Sequence, residues 1–263
     1  MSLSVRELTF AYKKTPVLSG VTFDAAPGEF LAVLGPNGVG KTTLFRCILG
    51  EQKRYAGTIA IDGADARTLS PRETAHRVAY ILQTHAMTFR FTVRDMVLMG
   101  TSHALSPFAS PGKAQEKIAA EALDRLGIAA LSDRSFDTLS GGEQQLCYVA
   151  RALAQQTRIL LMDEPTSSLD YGNQLKVLSV VKALAQDGYT VLLSTHNPQH
   201  ALWYADRVLA LFDGRVAACG PTAEVLTPQL IETLYGTRAQ LYETPGGSVI
   251  LPVSSNTTGG KAK

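Results

Sequence analysis

The stretch Gly35-Pro36-Asn37-Gly38-Val39-Gly40-Lys41-Thr42-Thr43 carries the residue types of a polyphosphate cradle at the spacing G-x-x-x-x-G-K-[ST]. Glycines let the backbone curl so that several N–H groups converge on phosphate oxygens, and a following helix adds the partial positive charge of its N-terminus. Lys41 is placed to reach the β- and γ-phosphates, and the Thr42 hydroxyl to ligate Mg²⁺. A plain glycine-rich turn would need neither side chain. The pattern points to a bound nucleoside triphosphate.

Further along, Arg158-Ile-Leu-Leu-Met runs into Asp163 and Glu164. An apolar run ending in two carboxylates is how a parallel strand delivers acids to the C-terminal edge of a sheet. Asp163 is suited to hold Mg²⁺ or its water, and Glu164 to polarise a water for attack on the γ-phosphorus. His196 follows the similar run Tyr189-Thr-Val-Leu-Leu-Ser194, where it could donate a hydrogen bond to the same phosphate. Ser140-Gly141-Gly142-Glu143 opens the periodic segment Leu146, Val149, Ala150, Leu153. Ser140 with Glu143 three residues on is a capping box, which needs no ligand. The two glycines are poor helix formers, and they make sense if an anion approaches that N-terminus; both readings can hold together. Tyr12 closes the first strand pattern, either as a base-stacking ring or as an ordinary strand aromatic.

These side chains need elements to hold them. Leu3, Val5, Leu8, Phe10 and Tyr12 alternate with one slip, and Val17 to Phe23 resumes after a Lys-Lys-Thr-Pro turn, so two or three antiparallel strands precede the loop. Phe30 to Leu34 is a buried strand feeding the loop, and Lys41 to Leu49 a helix stopped by Gly50. Short strands are expected over Gly57 to Gly63 and Val78 to Leu82, the latter closed by Gln83. Residues 84 to about 136 change character: a flexible approach, a helix near Val93 to Met99, a Ser/Pro/Gly-rich loop from Ser102 to Gly112, and a helix from Ala114 to Leu126. A hairpin over Arg207–Phe212 and Arg215–Cys219, a helix over about Thr222 to Tyr235, and a polar, disordered tail over 254–263 complete the chain.

Composition narrows the function class. The 263 residues suffice for one large α/β domain, and 25 basic against 23 acidic residues, scattered without long runs, give no nucleic-acid footprint. Cys47, Cys147 and Cys219 are odd in number and lie in apolar segments, as buried reduced thiols do. No apolar stretch approaches the ~18 residues a membrane span needs, and Met1 to Leu8 has neither a basic nor an apolar leader pattern, so a soluble, non-exported chain is expected.

Taken together, these residues resemble the nucleotide-binding subunit of an ATP-binding cassette (ABC) transporter over nearly the full length. The resemblance implies a P-loop NTPase core of α/β class, with an N-terminal antiparallel β subdomain and an inserted α-helical subdomain over about 84–154, all one domain over 1–253. It casts Gly35 to Thr43 as Walker A, Gln83 as the Q-loop glutamine that touches the metal and hinges the helical lobe, and Leu139 to Gln145 as the family signature. Ile159 to Asp163 matches Walker B, Glu164 the catalytic carboxylate, Ser167 to Asp170 the D-loop, His196 the switch histidine and Tyr12 the adenine-stacking aromatic. The implied cofactors are ATP and Mg²⁺. By the same resemblance, Ser140, Gly141, Gly142 and Glu143 meet the γ-phosphate of ATP held by a second copy, and Asp170 belongs to that shared interface.

The implied partners are the second copy, an integral membrane permease on whose cytoplasmic side the chain sits, and indirectly an extracytoplasmic substrate-binding protein. Phe91 to Gly100, Ser168 to Gln174, Ala205 to Val208 and Glu224 to Thr227 resemble the importers of ferric siderophores, haem and cobalamin. That subset often carries Arg where Thr101 stands, and an Arg is common in the family just after the signature, where this chain has Gln144-Gln145. A molybdate- or tungstate-type importer and a stand-alone ABC ATPase switch remain alternatives. A signalling GTPase lacks its base-reading segment here, and a DNA-repair ATPase would need coiled-coil heptads where only about fifty residues separate Gln83 from Ser140.

Overall fold

A computed structural model describes residues 2–82, 91–106 and 109–253. Strands β1 (Leu3–Tyr12) and β2 (Thr15–Ala25) pair antiparallel, and β1 also pairs with β4 (Ala56–Ile61), which carries the short β5 (Ala64–Asp65). The slip in the β1 alternation has a structural cause. Its register shifts between Val5 and Leu8, where Glu7 takes a φ of 49°, so a bulge returns Leu8 and Phe10 to the buried face.

The second sheet runs β10-β9-β3-β8-β7-β6: β6 (Val78–Ile81), β7 (Ile159–Asp163), β8 (Thr190–Thr195), β3 (Phe30–Leu34) and β9 (Arg207–Phe212) are parallel, and β10 (Arg215–Pro221) returns antiparallel at the edge. Covered on both faces, its central strands read as continuous apolar runs. Their alternation sorts the core. Ile159, Leu161, Leu192 and Leu31 face helix α1 (Lys41–Ile48) and the antiparallel sheet. Leu160, Met162, Val191 and Leu193 face helices α3 (Val93–Leu98), α4 (Lys113–Arg125), α5 (Gly141–Ala154) and α6 (Tyr171–Gln186). The short α2 (Pro71–Ala75) leads into β6, and α7 (Pro198–Tyr204), α8 (Thr222–Val225) and α9 (Pro228–Tyr235) pack against Ala32, Leu34, Val208 and Ala210.

Three expectations change. The single helix expected over 222–235 is two, because Thr227 caps a new start and Pro228 occupies its first turn. The loop expected from Ser102 begins as a 3₁₀ helix over Met99–Ala104, packed so closely that a Cβ on Gly100 would sit 2.1 Å from the Arg151 carbonyl. Cys219 is half-buried and takes a hydrogen bond from Arg207, whereas Cys47 and Cys147 are fully buried and their thiols are pushed up to about 12 by that burial. A hairpin of β11 (Ala239–Thr244) and β12 (Gly247–Pro252), absent from the sequence reading, docks on α7 through Trp203 and Gln199. The approach after Gln83 and the tail 254–263 lie outside the described residues.

Candidate functional site

Strand register assembles the site. Leu34 of β3 pairs with Thr195 of β8, and Ser194 pairs with Asp163 of β7, so the segments following all three strands emerge at one edge of the sheet. From β3 the chain enters the Gly35–Gly40 loop and turns into α1. Gly40 sits at φ 111°, where a Cβ would fall 2.9 Å from the Leu18 side chain, so only glycine fits. The first turn of α1 holds no acidic residue and receives no side-chain cap, which leaves its N–H groups available to an anion.

Lys41, only 5% exposed, donates to the carbonyls of Gly35 (2.7 Å) and Pro36 (3.1 Å) and lies 3.2 Å from Oε1 of Glu164. A buried ammonium at the mouth of a ring of amides fits a polyphosphate. The Thr42 side chain is exposed beside it, while Thr43 is buried. A groove of about 990 Å³ opens next to the loop, lined by Val17, Asn37, Gly38, Phe212 and Arg215, and it does not reach Lys41, Asp163, Glu164 or His196.

Across the edge, Asp163 is fixed by two hydroxyls: Ser194 Oγ donates to Oδ1 at 2.6 Å and the Tyr80 hydroxyl to Oδ2 at 3.2 Å. Burial, with the Asp163 charge adding to it, pushes the Tyr80 phenol up and keeps it a donor. The remaining lone pairs of Asp163 suit a hard divalent cation with oxygen ligands. Glu164 takes a φ of 46°, a left-handed conformation that costs an L-residue about 1–2 kcal/mol, and its N–H donates to the same Ser194 Oγ at 2.9 Å. Its carboxylate then spans the site, Oε1 toward Lys41 and Oε2 3.1 Å from His196 Nδ1. Lys41, Asp163, Glu164 and His196 are therefore brought together.

Other expected residues stand apart from this cluster. Ser140 caps α5 in a reciprocal box with Glu143, whose carboxylate accepts from the Ser140 N–H and hydroxyl at 2.8 Å each and is thereby held below its usual pKa. The signature glycines have a packing reason that the sequence reading did not supply. A Cβ on Gly142 would fall 2.2 Å from Asn173 Oδ1, and one on Gly141 3.2 Å from the Leu169 side chain. Asp170 caps α6, accepting from the Asn173 N–H (2.9 Å) and Nδ2 (2.8 Å). Tyr12 is 39% exposed and stands edge-on to Phe10 with centroids 4.8 Å apart. Gln83 lies outside the described residues.

Sequence reasoning missed Ser194 and Tyr80 as partners of the acidic pair. One signal existed: Ser194 is a polar residue closing an apolar run, and a fully buried hydroxyl must find a partner.

The ABC transporter family model matches residues 18–167. The hemin import ATP-binding protein HmuV of Rhodococcus jostii is 39% identical over 90% of this chain and 81% of its own. The ferric enterobactin transport ATP-binding protein FepC of Escherichia coli is 34% identical over 94% and 92%. Among solved structures, a metal-chelate type ABC transporter in an inward-facing conformation superposes with a TM-score of 0.85 at 32% identity, covering 98% of this chain and 99% of that one. A nucleotide-free ATP-binding cassette from an ABC transporter superposes at 0.80 with 26% identity over 89% and 98%. Fold, edge geometry and these likenesses agree: the chain belongs to the ABC transporter family as one of its ATP-binding ATPase subunits.

Proposed function

We propose that this chain energises an importer of metal chelates of the ferric siderophore, haem or cobalamin type, acting from the cytoplasmic face of the membrane through a permease. The gathering of Lys41, Asp163, Glu164 and His196 at one sheet edge carries the chemical part of the reading. The cargo class rests on likeness to the hemin and ferric enterobactin subunits over nine-tenths of the chain. Among the described residues no helix is long and apolar enough to cross a membrane, which accords with attachment through another subunit.

Bound ATP supplies the phosphoanhydride bond, and Mg²⁺ neutralises its charge. Around it, the amides of residues 37–43 and the Lys41 ammonium would hold the phosphate oxygens. Thr42 and Asp163, with Gln83, would hold the metal, the two hydroxyls on Asp163 aiming its free lone pairs. Glu164 would accept a proton from the attacking water, and His196, whose Nδ1 stands 3.1 Å from Oε2, would orient that carboxylate or turn its ring N–H to the γ-phosphate when ATP is bound. Tyr12 stacks on the base. The amides following Ser140, with Glu143 and Asp170 beside them, meet the γ-phosphate in a head-to-tail second copy, so ATP closes the dimer and hydrolysis loosens it.

The test traps tagged Glu164→Gln protein with Mg-ATP in solubilised membranes of the source organism and identifies what co-purifies. A polytopic permease is expected, and ATPase in the wild-type complex should then rise with a chelate-loaded binding protein. Recovery of soluble partners alone would overturn the transport reading.

A further inference from the structure

Behind Glu164, on the side of α7, lies a cavity of about 60 Å³ lined by Glu164, Thr166, Gln174, Thr195, His196 and His200 among others. His200 is 5% exposed, and its Nδ1 is fully buried with no hydrogen-bond partner among the described residues. A buried ring nitrogen without a partner is uncommon in a folded protein, and the usual partner in a polar cavity is water. One water needs roughly 10–15 Å³ of such free space and two to four polar partners, so this cavity suits a short chain of them. A metal is the poorer fit, since no group of three or more His, Cys, Asp or Glu side chains is placed to hold an ion among the described residues. Burial, and secondarily the nearby His196, hold the His200 imidazole below its usual pKa, so it is neutral at pH 7 and able to share a hydrogen bond with water.

The Glu164 carboxylate gives the cavity its use. On its front its partner is Lys41, 3.2 Å from Oε1, and phosphate oxygens would compete for that ammonium. With Lys41 committed to phosphate, His196 at Oε2 is the hold left on the carboxylate among the described residues, and a second one behind it would fix the direction of Oε1. The hydroxyl of the half-buried Tyr235, at the end of α9, is likewise buried and without a hydrogen-bond partner among the described residues, and burial, with the Glu164 charge second, raises its phenol pKa.

We propose that the cavity holds a chain of ordered waters anchored on His200 Nδ1, and that His200 is a positioning residue that keeps the Glu164 carboxylate directed at the attacking water during ATP hydrolysis. The inference rests on the role given to Glu164 above.

The test uses the full chain. A high-resolution crystal structure should show a water hydrogen-bonded to His200 Nδ1 and linked through the cavity to Glu164; a cavity without ordered water overturns the proposal. His200→Leu, of similar bulk and unable to hydrogen-bond, should lower kcat about 10- to 100-fold, the scale of a small misplacement of a reacting group, with KM and ATP affinity nearly unchanged. His200→Gln should restore most of the rate. Wild-type kcat in His200→Leu, or equal losses in both variants, overturns the proposal, and if His200→Leu does not fold, the water structure and His200→Gln decide. Glu164→Gln is the control: wild-type turnover there removes the reading of Glu164 itself, whereas an active His200→Leu beside an inactive Glu164→Gln removes only the present inference.

Discussion

Lys41 Nζ and Glu164 Oε1 stand 3.2 Å apart across the sheet edge, both largely buried, so the cation that should grip phosphate and the carboxylate that should activate water are partners of each other. Phosphate binding competes with that pair. Glu164→Gln removes the competitor without removing bulk, so it should bind Mg-ATP at least as tightly as wild type while losing roughly 10²–10⁴-fold in hydrolysis. Equilibrium binding and single-turnover rates on the purified chain check both parts. Weaker binding in the variant would show that the pair pre-organises Lys41 rather than competing for it.

Ser194 holds both acids at once, through Asp163 Oδ1 and the Glu164 N–H. Ser194→Ala leaves a buried carboxylate oxygen and a strained backbone N–H without their partner. A loss of about 1.5–3 kcal/mol in unfolding free energy is expected, the range for hydrogen bonds to charged groups, together with a lower kcat. Tyr80→Phe, whose bond to Asp163 is longer at 3.2 Å, should cost less. Denaturant midpoints at unchanged slope measure both. If the two variants cost the same, Ser194 has no special part in fixing the pair.

How much of this was legible depends on sequence distance. The loop at Gly35, the strands ending at Leu34 and Asp163, and the capping box at Ser140 are each written in fewer than about ten neighbouring residues, where period and cap chemistry act. Ser194 with Asp163 and Tyr80 with Asp163 are 31 and 83 residues apart and meet only through strand register, which no local pattern encodes. The β11–β12 hairpin is itself local, paired from Thr244 with Gly247 to Ala239 with Pro252 around a Pro-Gly turn, and only its docking on Gln199 and Trp203, about fifty residues earlier, depends on sequence distance. The break at Thr227-Pro228 was readable, and a helix pattern carried across it hid a capping residue followed by proline.

Stability should fall on mild acidification. In the fold the His200 imidazole lies below its usual value of 6.5, mainly through burial, so between the two values the unfolded chain binds more protons. Its contribution is therefore fully present above about pH 6.5 and is lost as the pH falls through the folded value. His103, also lowered by burial, acts with the same sign. The slope is at most about 1.4 kcal/mol per pH unit for each group. Unfolding free energies at pH 7.5 and 5.5 should differ less in His200→Gln than in wild type. An unchanged difference would assign the acid sensitivity to other groups.

Gly142 offers a way to separate packing from ligand chemistry at the α5 N-terminus. At an ordinary helical position, alanine for glycine stabilises by up to about 1 kcal/mol. Here the added Cβ would fall 2.2 Å from Asn173 Oδ1 and 2.4 Å from its Cγ, and moving Asn173 breaks its bond to Asp170. Gly142→Ala should therefore destabilise by about 1–3 kcal/mol, the cost of overpacking, and reduce hydrolysis. Asn173→Ala removes Oδ1 and Cγ but leaves its own Cβ 3.0 Å from the new one, so the double variant should show a favourable coupling that recovers part of the lost stability. The Cβ points toward α6, so hydrolysis should recover with it. A double variant as stable as Asn173→Ala alone but still inactive would mean that the glycine serves the approaching phosphate itself.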